Sequence, residues 1–290
     1  MKFVNFKVGE QIHLGIKVEK GIIDVAAASK DYALDVPTTI EQVIESGQYG
    51  LSQLAELVKK EVQTITEEKT VYAPCVTNPE KILCVGLNYV SHTSEAKVEI
   101  PTSPVLFSKF NNALAAHNQI IQLPTIAEKF DYEAELVIVI GKEAVKVTKE
   151  DALSYVFGYT AGNDLSARDL QFRTSQWILG KTCDYFAPIG PYLVTADEIN
   201  PNNLDIRCEV NGDQRQSANT CDMIFDCATI VSYASQYMTL KPGDIIFTGT
   251  PGGVIIGYPE KDQRWLKCGD EIKVSIEKIG TLFNVLDMKK

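Results

Sequence analysis

From Phe3 to Val8 and from Ile12 to Val18, apolar and polar side chains alternate, the period-two pattern of strands with one buried face. Thr38, with Glu41 three residues on, forms a capping-box signature that opens a short helix over Ile40–Ser46. A second helical stripe runs through Leu51, Leu54, Leu57, Val58 and Val62. These elements make residues 1–72 a small N-terminal α/β domain. Thr64 to Glu80 is mostly polar, carries Pro74 and Pro79, and reads as a connector.

From Lys81 the pattern turns to sheet. Ile82–Val85 is a short apolar strand ending in Gly86, and Val137–Ile140 is another. Ala152–Val156 reads as a short helix and Phe157–Ala161 as a strand. Further strands are predicted at Pro188–Val194, Leu204–Val210, Asp244–Thr248, Glu271–Ile276 and Thr281–Val285. Two similar corners, Leu240-Lys241-Pro242-Gly243-Asp244 and Leu266-Lys267-Cys268-Gly269-Asp270, read as hairpin turns. Residues 78–290 thus form a sheet-dominated domain, and the fold class is α+β.

Composition narrows the function. The 290-residue chain is 45% hydrophobic and 23% charged, as ordinary globular proteins are. No run of about 20 apolar residues exists to span a membrane, and the first residues lack a secretory leader. The expectation is a cytoplasmic protein. A formal charge of −10 without a basic run excludes nucleic acid as partner. An anionic substrate therefore needs local positive charge. Seven scattered cysteines with no Cys-x-x-Cys pair read as reduced thiols. Gly249-Thr250-Pro251-Gly252-Gly253 lacks the lysine and helix of a phosphate loop and reads as a turn.

The acidic residues are more informative. Tyr132-Glu133-Ala134-Glu135 leads into the apolar run Leu136–Ile140, a strand buried on both faces. Glu133 and Glu135, two apart, share one face. Two like charges there are costly unless a cation neutralises them, and a hard divalent ion takes oxygen ligands. The plainer alternative is a solvated strand end. Asp164 is a third carboxylate, either a helix N-cap or a further ligand, since Ser166 and Asp169 already supply a cap. Of three histidines, His13 and His117 read as structural. His92 and Glu95, three apart on a helical turn, could pair as a general base for water.

Together these residues resemble the fumarylacetoacetate hydrolase family. The resemblance is carried by Asn88-Tyr89-x-x-His92-x-x-Glu95, Asp131-Tyr132-Glu133-Ala134-Glu135, and Asn163-Asp164-Leu165-Ser166-Ala167-Arg168-Asp169-Leu170-Gln171. Lys181-Thr182-Cys183-Asp184, Val210-Asn211-Gly212 and Thr248-Gly249-Thr250-Pro251-Gly252-Gly253 follow in order. It implies a mixed β-roll for the catalytic domain and a homodimer. It implies that Glu133, Glu135 and Asp164 bind Mg²⁺, with Mn²⁺ or Ca²⁺ as alternatives. It implies that His92 and Glu95 activate water, that Lys181 stabilises an oxyanion, and that Arg168, Gln171 and Thr250 hold the substrate. The implied substrate is a small anionic keto acid. The implied reaction is C–C bond hydrolysis of an acylpyruvate, fumarylpyruvate or fumarylacetoacetate. The alternative on the same metal site is oxaloacetate decarboxylation or keto–enol isomerisation. Ala96–Phe110 reads as a mobile lid over the distal pocket.

Overall fold

The structure is a computed structural model that describes residues 1–288; the last two positions of the 78–290 domain lie outside the described residues. Its centre is the strand Ala134–Ile140, in which every side chain is buried. Val156–Asn163 pairs antiparallel on one side and Ile245–Phe247 on the other, so the expected interior strand is interior. Beyond Ile245–Phe247 lie Ile82–Gly86, parallel, and Val105–Lys109, antiparallel. The segment read as a lid therefore contains an ordered edge strand; 97–104 and Phe110 lie outside regular elements.

In the other direction the same sheet continues through Leu193–Thr195 to Lys2–Val8, Gln11–Val18 and Gly21–Asp24. The N-terminal strands thus extend the sheet that holds the acidic strand. A second, five-stranded sheet of Asp213–Asn219, Asp205–Val210, Glu271–Ile276, Gly280–Met288 and Ile120–Leu123 packs across it. Leu136, Ile138 and Ile140 join the core shared with Ile206, Val274 and Leu282. Val137 and Val139, on the opposite face, pack with Ile40, Val43, Leu54 and Leu57. An interior strand needs apolar residues on both faces for this reason. The α+β class is thereby met.

Local chemistry explains where elements start. The helix Ile40–Val58 is capped one residue later than expected: the Thr39 hydroxyl accepts the Gln42 N–H at 3.2 Å and the Gln42 side chain accepts the Thr39 N–H at 3.3 Å. Its two predicted stripes meet at Gly47, whose φ of 54° breaks the helix. The short helix expected at Ala152–Val156 lies earlier, at Lys149–Ala152, because Thr148 accepts the Asp151 N–H at 3.3 Å. The two corners are not hairpins. In each, an aspartate accepts a backbone N–H three residues back, Asp244 from Lys241 and Asp270 from Lys267, both at 2.8 Å. Gly243 and Gly269 supply φ of 87° and 88°, and each turn launches one strand.

Candidate active site

Strand register assembles the acidic cluster. Ala134 faces Asn163 across the central pair, which brings Asp164 beside Glu133. The Asn163 side chain accepts the Glu133 N–H at 2.9 Å, and the Asp164 N–H reaches the Glu133 carbonyl at 2.9 Å. Glu135 accepts the Gly249 N–H at 2.6 Å, so the Gly249–Thr250 turn closes over the strand end. Glu133, Glu135 and Asp164 are all buried, with ligand oxygens within 4.8 Å of one another.

Three buried cations surround them. Lys181 Nζ lies 2.5 Å from Glu133 Oε2 and 2.8 Å from Asp164 Oδ2. Lys109 contacts the other Asp164 oxygen and donates to the Leu165 carbonyl at 3.1 Å. Arg168 donates to Asp131 at 2.9 Å, to Gln171 at 2.8 Å and to Glu133 at 2.7 Å. Burial would raise the Glu133 carboxyl, but Lys181 and Arg168 outweigh it and hold that carboxyl well below the usual range. Glu135 has no such ion-pair partner among the described residues. Burial, then the charges of Asp164 and Glu133, push its carboxyl well above the usual range.

His92 and Glu95 ride on the helix Val90–Ala96. Burial holds the His92 imidazole below its usual value, hence neutral at pH 7, and its buried Nδ1 has no hydrogen-bond partner among the described residues. Glu95 turns elsewhere: both its oxygens accept the Gly253 N–H, at 2.7 and 2.9 Å. Gly257 makes room for it, since a Cβ there would lie 2.6 Å from Glu95 Oε2. The pair expected to activate water is on one helix but not joined.

A cavity of about 660 Å³ opens above the cluster. His92, Glu95, Glu133, Glu135, Arg168, Gln171, Lys181 and Thr250 all line it, and Asp164 sits beneath, behind Lys181. The Thr250 hydroxyl is held by Ala134 O at 2.9 Å and Gln216 Nε2 at 2.8 Å. Phe107 and Trp177, edge to face at 5.4 Å, form an aromatic wall, and Phe107 lies 5.1 Å from Lys181 Nζ. Gly86 permits that wall, because a Cβ there would meet the Trp177 ring at 2.7 Å.

The family profile described as Fumarylacetoacetate (FAA) hydrolase C-terminal matches residues 81–287. The chain belongs to the fumarylacetoacetate hydrolase family. Among relatives of this fumarylacetoacetate hydrolase family member, a protein from Dictyostelium discoideum named fumarylacetoacetate hydrolase domain-containing protein 2 homolog is 44% identical, over 96% of this chain and 93% of its own length. Oxaloacetate tautomerase Fahd2a, mitochondrial, from Rattus norvegicus is 40% identical over 98% of this chain and 91% of its own. The structure of maleylpyruvate hydrolase from Sphingobium sp. SYK-6, in complex with manganese(II) ion and pyruvate, superposes with a TM-score of 0.82 at 29% identity, covering 100% of both chains.

The residues present in this family member fit a hard divalent ion. Three buried carboxylates converge, and burial with the charges of Asp164 and Glu133 disfavours ionisation of Glu135, which is what an oxygen-liganded cation would relieve. Two buried charged side chains at the cluster escaped the sequence reading. Asp131, fully buried, orients Arg168 and accepts the Ile255 and Ile256 N–H groups at 2.8 and 3.1 Å. Its signal was its place two residues before Glu133. Lys109 had none, standing at the end of an ordinary apolar strand. His13, paired with Asp24 at 2.9 Å, and His117, edge to face with Tyr72 at 4.7 Å, lie outside the cavity lining.

Proposed function

We propose that this family member interconverts the keto and enol forms of oxaloacetate or a closely related 2-oxo diacid. The observation that carries the reading is His92: a neutral imidazole on the cavity wall without the carboxylate partner that water activation needs. Relatives named oxaloacetate tautomerases, 38 to 40% identical over 98% of this chain, support it.

Mg²⁺, with Mn²⁺ or Ca²⁺ as alternatives, held by Glu133, Glu135 and Asp164, would polarise the 2-oxo group. His92 takes the proton at C3, and the C–H electron pair becomes the C2=C3 double bond. The His92 imidazolium gives up the proton it gained as the former carbonyl oxygen takes one, so that oxygen becomes the enol hydroxyl and the imidazole is neutral again. Lys181, at the cavity floor, donates a hydrogen bond to that oxygen as its charge develops. Arg168 and Gln171, locked to each other at 2.8 Å, present one polar edge to the substrate carboxylate, and Thr250 closes the opposite side. The aromatic wall excludes water.

A second reading is C–C hydrolysis of an acylpyruvate. It is supported by the likeness to maleylpyruvate hydrolase and by His92 and Glu95 facing one cavity. It requires Glu95 to leave Gly253. Offering enol oxaloacetate and acetylpyruvate to the Mg²⁺-loaded protein decides between them. Faster enol decay without C–C cleavage, lost in Glu135→Gln, supports the tautomerase. Acetate and pyruvate released from acetylpyruvate would replace it with the hydrolase. The homodimer and the cytoplasmic location remain proposals, tested by light scattering and by cell fractionation; no helix among the described residues is long and apolar enough to cross a membrane.

A further inference from the structure

A 2-oxo diacid carries two carboxylates, and the site described so far receives one. Asp131, Glu133, Glu135 and Asp164 are buried under the cavity, and among the described residues the buried cations that oppose them are Lys109, Lys181 and Arg168. Adding a divalent ion to that set, with all four acids ionised, leaves one excess positive charge, enough for a single carboxylate. Each buried cation is already hydrogen-bonded to these acids, and His92 is neutral. Val98, Phe107, Trp177 and Ile256 also line the cavity, and their apolar side chains offer a second carboxylate nothing in exchange for its water.

One further cation lines the cavity: Lys97. It is exposed, and no carboxylate among the described residues is in ion-pair contact with it. It closes the helix that carries His92 and Glu95, with φ 54° and ψ 39°, a left-handed conformation that lysine seldom adopts. Its N–H bonds back to Thr93 and Ser94 carbonyls, so the chain turns there and sets residue 97 on the cavity wall between Ala96 and Val98. Backbone of this kind gathers at ligand sites. Glu260 lines the same mouth and would repel a dianion, which makes an opposing cation more consequential.

We propose that Lys97 receives the distal carboxylate of the substrate and thereby selects diacids over monoacids. The inference rests on the reading of this site as one for 2-oxo acids, yet binding tests it without turnover. The Mn²⁺-loaded protein is titrated calorimetrically with 2-oxoglutarate, a diacid, and with 2-oxovalerate, a monoacid of equal carbon number. The wild type is expected to prefer the diacid by about tenfold, the worth of one charge-assisted contact. Lys97→Gln erases that preference without weakening 2-oxovalerate, Lys97→Arg retains it, and Glu260→Gln enlarges it. Equal binding of both acids by the wild type would overturn the proposal, and so would a preference that survives Lys97→Gln. A diacid preference that depends on Lys97 in a protein that does not tautomerise oxaloacetate would uphold this inference and overturn the proposed reaction.

Discussion

Glu95 grips the Gly253 backbone N–H with both carboxylate oxygens, at 2.7 and 2.9 Å, and so ties the helix bearing His92 to the Gly249–Gly253 turn above the acidic strand. On the proposed reading, this contact makes Glu95 a positioning residue for His92. Glu95→Gln keeps one acceptor and should lower kcat by less than about fivefold. Glu95→Ala leaves a part-buried N–H without its partner and should lower it by about tenfold or more. Steady-state kinetics with enol oxaloacetate measure both; equal losses would show that Glu95 acts chemically instead.

Asp131 holds Arg168 and two backbone N–H groups with no exposed surface of its own. Asp131→Ala removes one of the two carboxylates on a buried guanidinium, leaves two backbone N–H groups without an acceptor, and should cost about 3–5 kcal/mol of stability. A urea midpoint that shifts by less than the equivalent of about 1 kcal/mol would contradict this packing account.

Metal should act on stability in a residue-specific way. At a hundredfold excess over Kd, Mg²⁺ or Mn²⁺ should add about 2.7 kcal/mol, raising Tm by roughly 5 °C or more. EDTA should abolish both this gain and activity. Glu135→Gln should lose the metal response while its metal-free Tm is equal to or above that of the wild type. The sign follows from Glu135, whose carboxyl is raised by burial and by Asp164 and Glu133. A metal-free Tm well below wild type would argue against that repulsion.

His117 predicts an acid-side effect remote from the site. Its Nδ1 accepts the Phe283 N–H at 3.1 Å, and burial lowers its pKa from 6.5 to about 4. The folded state therefore binds fewer protons than the unfolded state between those values. Stability is fully present above pH 6.5 and falls as pH drops toward 4. Partial exposure reduces the loss to about 1–2 kcal/mol. His117→Asn should flatten that part of the Tm–pH curve relative to wild type.

The site was legible where neighbours in sequence are neighbours in space. Period two put Glu133 and Glu135 on one face, and the apolar run after them announced an interior strand. The approach of Asp164 depends on a register between Ala134 and Asn163 that no local pattern encodes. Lys109 reaches Asp164 across 55 residues of chain, and Glu95 reaches Gly253 across 158. Helix spacing pointed Glu95 at His92, but the carboxylate found a backbone donor instead. The corners at Pro242-Gly243 and Cys268-Gly269 show the same limit: turn chemistry was readable, whereas what each turn connects was not.

The sheet that carries Glu135 runs without a break into Lys2–Val8, because Leu193–Thr195 pairs with both Val156–Asn163 and the first strand. Removing the N-terminal 70 residues would therefore uncover a raw row of backbone donors and acceptors on Leu193–Thr195, two strands from the acidic cluster. Such a trimmed protein would be prone to edge-to-edge aggregation and to protease attack. The N-terminal segment serves the catalytic half as a selvedge, the finished border that keeps a woven sheet from joining its neighbour.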